Sequence, residues 1–81
     1  MERETLPRYR VICTQLSLPH EPCVPTYGVE MVVGERVERF PDVSTEETAV
    51  RRLVALLQEQ RVEACHFREV VEDYLVYLSL P

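Results

Sequence analysis

Few residues in this sequence can adopt the backbone conformations that phosphate-binding and catalytic loops need. The 81 residues include two glycines and no tryptophan. Glycine-rich phosphate loops, oxyanion loops and nucleophile elbows depend on glycine, because only glycine adopts their backbone angles at little cost. Two glycines cannot build any of these loops, so the sequence predicts none of the chemistries that rely on them.

Positive charge is also scarce, and lysine is absent. Nine basic residues, all of them arginine, stand against fourteen acidic residues, which gives a formal net charge of −5. A chain of this sign repels the phosphate backbone of nucleic acids unless its arginines gather on one face. The arginines are spread along the whole sequence, so nucleic acid is a disfavoured partner.

Long apolar runs and paired cysteines are missing as well. No stretch reaches the roughly 18 uninterrupted apolar residues that indicate a membrane span, and the amino terminus is polar. We therefore expect neither a membrane span nor a signal peptide. The three cysteines form no close pair motif, which is typical of free thiols in a reducing compartment and favours a cytoplasmic protein.

What is present suits one small folded domain over residues 1–81. Hydrophobic residues make up 46% of the chain, and its length is too short for two cores. A polar lead at residues 1–7 precedes an alternating segment at 8–18, in which Tyr9 and Val11 share one face. Proline fixes φ and removes a backbone donor, so a proline-rich loop at 19–26 should end this first strand.

Two further strands are predicted to form a hairpin. Residues 27–33 show the clearest period-two alternation in the chain. The Gly34-Glu35 pair suits a type II′ turn, whose first central residue needs a positive φ. A third strand at 36–40 should follow this turn and end at Pro41.

Two amphipathic helices are predicted after the strands. Ser44 and Glu47 form a capping box, in which the Ser44 hydroxyl accepts from the Glu47 amide and the Glu47 carboxylate reaches back. A helix should therefore begin at Ser44 and run to about Gln60, and a change of phase places the next turn between Arg61 and Ala64. The two buried stripes comprise Ala49, Val50, Leu53, Val54 and Leu57, then Phe67, Val70, Val71, Tyr74, Leu75 and Leu78.

The predicted fold class is α+β. A three-stranded antiparallel sheet in the order β-β-β-α-α should carry both helices on one face, which buries Tyr27, Val29, Met31 and Val33.

Several segments carry a family resemblance. They are Tyr27-Gly28-Val29-Glu30, Asp42-Val43-Ser44-Thr45, Val50 with Leu53-Val54 and Leu57, and the run from His66 to Leu75. In these segments the chain resembles a small bacterial family known as domain of unknown function 6514. The family pattern has Ser-Pro where this chain has Glu63-Ala64. Ser-Pro would start the second helix sharply, with serine as the N-cap and proline in the first turn. The resemblance implies a shared architecture and carries no activity.

The second helix presents a candidate binding face. His66, Glu69, Glu72 and Asp73 place one imidazole and three carboxylates near each other, at spacings that share a helix face. Such a face could bind a cation or a basic partner. The alternative is a solvated acidic face that keeps the helix soluble.

Surplus apolar residues form a second candidate surface. Val76 and Tyr77 lie outside the stripe that one core requires, so they need cover from elsewhere. Four more residues are assigned to the sheet face opposite the core: Ile12, Leu16, Val32 and Phe40. Another protein or a second copy of the chain could cover both sets. A loop or the proline-rich segment is the alternative cover for the sheet face.

Cysteine and histidine supply a weaker metal hypothesis. His20, Cys23, Cys65 and His66 make an N2S2 set that suits tetrahedral zinc. The alternative assigns these residues to the core and the loop. Adjacent helical side chains diverge by about 100°, so Cys65 and His66 are poorly placed to act together as nucleophile and base, and Cys13 could meet His66 only by chance of the tertiary fold.

These observations favour a non-enzymatic cytoplasmic interaction or regulatory module that binds another protein or forms a homodimer, without a cofactor. A small zinc-binding or Cys/His-dependent enzyme domain is the alternative. A nucleic-acid binder is a third class. It would need a basic strip on one sheet face, formed by Arg8, Arg10, Arg36 and Arg39.

Overall fold

The computed structural model describes residues 6–16, 19–20 and 24–80, and these residues form three strands followed by two helices. The strands are β1 (Arg8–Leu16), β2 (Val24–Val33) and β3 (Arg36–Ser44). The helices are α1 (Glu47–Glu59) and α2 (Phe67–Ser79), and a 3₁₀ turn (Ala64–His66) leads into α2. The predicted α+β class and the order β-β-β-α-α are confirmed.

The strands form one antiparallel sheet in the order β1-β2-β3. Met31 of β2 pairs with Tyr9 on one side and with Glu38 on the other. Gly34 has a φ of 59°, whereas Glu35 does not have a positive φ. A positive φ at only the first central residue is the pattern of a type II′ turn, so the predicted hairpin is confirmed.

β2 begins earlier than the alternation predicted. Val24 and Pro25 already belong to the strand, where they pair with Leu16 and Gln15, so the proline-rich loop is shorter than 19–26. Pro25 has no N–H, and the position of that group would face β3. The β2–β3 pairing extends only as far as Tyr27, so no hydrogen bond to β3 is lost at Pro25. Residues 17 and 18, the last of the predicted first strand, lie outside the described residues.

β3 continues past Pro41 to Ser44, so the prediction that Pro41 ends it is wrong. Val29 pairs with Phe40, but Tyr27 pairs with Ser44, and the ladder is irregular between these two pairs. Extra β3 residues bulge out at this irregularity. A bulge suspends regular pairing, so it accommodates a proline that cannot donate a hydrogen bond.

α1 begins at Glu47, and the predicted capping box is absent. Ser44 is still paired with Tyr27 in the sheet, so its backbone cannot serve as the N-cap. Its hydroxyl accepts a hydrogen bond from the Glu46 amide at 3.0 Å, and Glu46 becomes the N-cap residue. The Glu47 carboxylate accepts from Arg51 Nε at 2.9 Å one turn along the helix.

The core lies between one sheet face and the two helices. It comprises Tyr9, Val29, Met31, Val43, Val50, Leu53, Leu57, Phe67 and Val71. Tyr27 and Val33 are partly buried against it, so the predicted core face of β2 is confirmed. The Tyr9 hydroxyl donates to the Val62 carbonyl at 2.6 Å, which ties β1 to the connection between the helices. Neither helix is long and apolar enough to span a membrane in the described part of the chain.

Candidate functional site

The orientation of α2 is fixed by contacts along its inner face. The Phe67 ring lies 5.5 Å from the Tyr9 ring and 5.6 Å from the Phe40 ring, centroid to centroid. One turn before the end of the helix, the Tyr74 hydroxyl donates to the Ala49 carbonyl at 3.0 Å. These contacts pin both halves of α2 against the fold, so the direction of its outer face is determined.

The outer face of α2 forms a continuous surface that we call the outer stripe. It comprises His66, Glu69, Glu72, Asp73, Val76, Tyr77 and Leu80, all of which are exposed. Five of these residues follow the alternating three- and four-residue spacing of a coiled-coil seam. Residues in this spacing share one side of a helix, so the stripe can meet a second helix along its length.

The first half of the outer stripe is acidic. Glu72 and Asp73 are exposed, and His66 Nδ1 lies 3.4 Å from the Glu69 Oε2 atom. The histidine and glutamate side chains are both largely in water, so this contact contributes little to stability. The predicted grouping of these four residues on one face is confirmed, and within the described residues no arginine forms a salt bridge with the three carboxylates.

The second half of the outer stripe is apolar. Val76, Tyr77 and Leu80 retain 63%, 66% and 63% of their accessible surface. The Tyr77 ring lies 5.8 Å from the Tyr74 ring, which is itself anchored to α1. Val76 and Tyr77 lie outside the core, as predicted, and no residue of the described ranges buries them. Leu80 extends the same surface.

The sheet face opposite the helices holds two of the four residues predicted there and lacks a third. Ile12 and Val32 are half-buried on this face, and the side chain of Leu16 lies outside the described residues. Phe40 belongs to the other face, so its assignment was wrong. The two-residue turn pairs Val33 with Arg36. Continuing the antiparallel pairing from there places Phe40 opposite Val29, whose side chain is in the core.

A buried carboxylate lies at the centre of this outer sheet face. Glu30 is 2% exposed, and its two oxygens accept from Arg10 Nε at 2.5 Å and Arg39 Nε at 2.7 Å. The hydrogen bond from Arg39, followed by that from Arg10, holds the pKa of Glu30 below its usual value. The sequence did not predict this cluster, although the pairing set by the two-residue turn places Arg39 opposite Glu30.

A shallow groove of about 530 Å³ runs beside this cluster and around the start of β1. It is lined by Arg8, Tyr9, Arg10, Glu30, Val32 and Gln58. Burial raises the pKa of Tyr9, whose hydroxyl is already committed to the Val62 carbonyl. Tyr9 therefore stays protonated, with its hydroxyl donating to Val62.

Comparison with known proteins identifies the family. A family model described as Family of unknown function (DUF6514) matches residues 1–76. The chain belongs to this family. Neither a curated protein nor a solved structure matches it.

The DUF6514 match extends over β1 as well as the segments that carried the resemblance. The position where the family pattern has Ser-Pro is a helix start in this DUF6514 chain also. Glu63 is the N-cap of the 3₁₀ turn, with φ −75° and ψ 154°, and its side chain makes no capping hydrogen bond. The turn closes through the His66 amide, which donates to the Glu63 carbonyl at 2.9 Å.

The metal hypothesis gains no support from the described part of this DUF6514 chain. Within it, no three His, Cys, Asp or Glu residues are grouped closely enough to hold a metal ion. Cys65 is exposed in the 3₁₀ turn beside His66, and His20 lies in a turn with φ 71°. Cys23 lies outside the described residues, so the complete four-residue set stays a prediction.

The arginine strip is only partly assembled. Arg8, Arg10 and Arg39 share the outer sheet face, but two of them are bound to Glu30. Arg36 pairs with Val33 on the opposite face and bridges to Glu38, so its predicted place in the strip is wrong.

Proposed function

We propose that this DUF6514 protein is a non-enzymatic, cytoplasmic interaction module that presents the outer stripe of α2 to a helix of another protein. The partner helix would carry basic residues against the acidic half of the stripe and apolar residues against the other half. The continuous stripe, exposed along the whole of an anchored helix, is the observation that carries this proposal.

The apolar half of the outer stripe would contribute most of the favourable free energy of binding. Burying a Val or Leu side chain contributes roughly 1.5–3 kcal/mol, and tyrosine is enriched among residues that dominate interface energies. Tyr77 suits such a role because it is exposed and its ring lies beside that of Tyr74, which contacts α1.

The acidic half selects the partner. Glu69, Glu72 and Asp73 repel anionic lipid and nucleic acid and attract a helix rich in arginine or lysine. The same charges disfavour a parallel pairing of two α2 helices, which would place identical carboxylates opposite one another. A partner of opposite charge therefore fits the stripe better than a second copy does.

The cysteines agree with a cytoplasmic location for the module. Cys13 and Cys65 are both unpaired and exposed in the structure, as expected for thiols kept reduced.

A designed peptide tests the proposal directly. The probe is a fluorescent amphipathic helix that matches the length of the stripe, with leucines in one half and arginines in the other, arranged to run antiparallel to α2. We expect fluorescence anisotropy to show saturable binding to the wild-type protein. Tyr77→Ser should weaken binding about tenfold or more, since a lost anchor of 1.4 kcal/mol corresponds to that factor.

Charge variants separate the two halves of the stripe. Glu69→Gln with Asp73→Asn should weaken binding and flatten its dependence on salt, whereas Glu59→Gln, at an exposed position of α1, should change neither. Binding that is indifferent to Tyr77 and to Asp73 would show that the outer stripe is only a solvated face.

A further inference from the structure

Among the residues that the structure describes, one edge of the sheet has no strand beside it. β1 pairs with β2 along its whole length and is the first strand in the order β1-β2-β3, so no described strand pairs with its other edge. An open edge presents backbone N–H and C=O groups that can pair with another chain. The opposite edge, formed by β3, is interrupted by Pro41 and its bulge, which are features that prevent pairing.

The direction of the β1 backbone groups follows from one hydrogen bond. The Tyr9 amide donates to the Gln58 Oε1 atom at 2.9 Å, so it points away from β2. Backbone groups alternate along a strand, so those of Val11, Cys13 and Gln15 also point outward. The β2–β3 hairpin leads to the same assignment. Val33 and Arg36 flank the two-residue turn as a hydrogen-bonded pair, so the amide of Val33 points to β3. The amide of Met31, two residues earlier, also points to β3, so the amide of its partner Tyr9 in β1 points away from β2.

The outward groups of these three residues make no hydrogen bond within the described chain. The segment from Val11 to Gln15 also contains no proline and no charge. Natural sheets normally protect such an edge with charges, prolines or bulges, because a long bare edge causes association. The segment from Val11 to Gln15 has none of these features, which indicates that this part of the edge is covered.

We propose that two copies of the chain pair through β1, antiparallel and with Cys13 opposite Cys13 of the second copy, to form one continuous sheet. In this register Val11 lies opposite Gln15 of the second copy, and every outward group from Val11 to Gln15 is used. A register centred on Ile12 would need the Tyr9 amide, which Gln58 already holds. The two-fold pairing is closed, so it forms a dimer and not a filament.

Charge does not oppose a second copy as the occupant. Each chain carries −5, yet the seam itself is uncharged, and the nearest arginine, Arg10, is bound to Glu30. Repulsion between more distant charges is screened within about 10 Å at 0.1 M salt. Ile12 lies opposite Thr14 of the second copy, and pairs of β-branched residues of this kind stabilise antiparallel strands.

Mild oxidation tests the register. Residues opposite each other in a hydrogen-bonded pair have Cα atoms about 5.5 Å apart, within the 4.4–6.8 Å range of disulfides. A protein with Cys13 as its sole cysteine, made by Cys23→Ser and Cys65→Ser, should form a covalent dimer rapidly on non-reducing gels. Moving the cysteine to position 11 (Cys13→Ser with Val11→Cys) should abolish this product, because the two sites would lie roughly 14 Å apart.

Proline variants test the edge itself. Cys13→Pro removes an outward donor without touching the β1–β2 ladder, so light scattering should show a folded monomer where the wild type is a dimer. Thr14→Pro removes an inward donor and should unfold the protein instead. A wild type that is monomeric at high micromolar concentration and forms no Cys13 disulfide would overturn the proposal, as would equal crosslinking at positions 11 and 13.

The dimer and the proposed function fail separately. Tyr77→Ser, which should weaken peptide binding about tenfold or more, should leave the Cys13 crosslink unchanged. Pairing of β1 with an extended segment of another protein would appear as a monomer in isolation, and that result would also overturn the proposal of a second copy.

Discussion

At the residue scale, Gly28 is where the fold leaves no space for a side chain. A Cβ at this position would lie 1.9 Å from the Phe40 carbonyl oxygen and 2.6 Å from the Pro41 carbonyl carbon. Both are backbone atoms of the β3 bulge, so neither can move aside by changing a rotamer. The bulge and the glycine therefore depend on each other.

We predict that Gly28→Ala lowers the free energy of unfolding by about 3 kcal/mol or more, at or above the usual cost of overpacking. Urea unfolding followed by circular dichroism measures this change. Gly34→Ala is the matched control, because a Cβ there meets nothing within 4 Å and only the positive φ of 59° opposes it. That control should cost about 1–2 kcal/mol. Equal effects at the two glycines would contradict the close approach.

Glu30 makes stability depend on acid pH. Its carboxylate is held charged by Arg39 and Arg10, so its pKa is lower in the folded than in the unfolded protein. A lowered pKa contributes stability that is fully present above the unfolded value, near pH 4.5, and is lost as pH falls through the folded value. The contribution should therefore fade below about pH 4.5.

We predict that Glu30→Gln destabilises the protein at pH 7 and that the difference from wild type shrinks as the pH falls below about 4.5. Urea unfolding at these pH values measures it. Glu59→Gln, at an exposed position of α1, provides the control for general acid effects. A difference between wild type and Glu30→Gln that stays constant with pH would show that the two arginine bonds do not depend on the charge.

At the element scale, the 3₁₀ turn that leads into α2 lacks a capping side chain, although its backbone conformation would accept one. Glu63 occupies the N-cap of the 3₁₀ turn without a capping hydrogen bond, and its extended backbone is the conformation that precedes proline most readily. Ala64 follows at the first helical position, where proline is favoured because its φ is already set.

We predict that Glu63→Ser with Ala64→Pro raises the free energy of unfolding by about 1 kcal/mol. Serine would cap the turn, and proline would reduce the freedom of the unfolded chain. Thermal and urea unfolding both measure the gain. Placing the same proline one residue later, as Cys65→Pro with Glu63→Ser, should give less. A loss of stability in the first variant would mean that the proline ring collides with the core against which Ala64 packs.

The elements themselves follow from local patterns, whereas their ends depend on tertiary contacts. Alternation at 27–33 and the Gly34-Glu35 turn predict the hairpin, because both signals act over neighbouring residues. The end of β3 was not predictable in this way. Pro41 reads as a strand terminator, and only the close approach of β3 to Gly28 shows that the strand bulges and continues.

At the scale of the whole molecule, the sequence predicts which apolar residues lie outside the core more reliably than it predicts which residues share a face of the sheet. Val76 and Tyr77 exceed what one core can hold, and the structure leaves them exposed. The outer sheet face depends instead on strand register, where a shift of one residue exchanges the two faces. Phe40 packs in the core and not on the outer sheet face for this reason. Glu30 lies on the outer sheet face, where Arg10 and Arg39 bind its carboxylate.

The outer stripe gives the molecule a surface that its own fold does not use, and stability measurements can show this. Val76→Ser with Tyr77→Ser should change the free energy of unfolding by no more than about 0.5 kcal/mol, the usual range for surface positions. Val71→Ala, on the buried face of the same helix, should cost ~2 kcal/mol because it leaves a cavity. Denaturant unfolding of the three proteins measures both changes. A change this small would show that the fold does not depend on the apolar half of the stripe, which leaves it available for the proposed contact, whereas a loss of 2 kcal/mol from the double variant would assign Val76 and Tyr77 to the core.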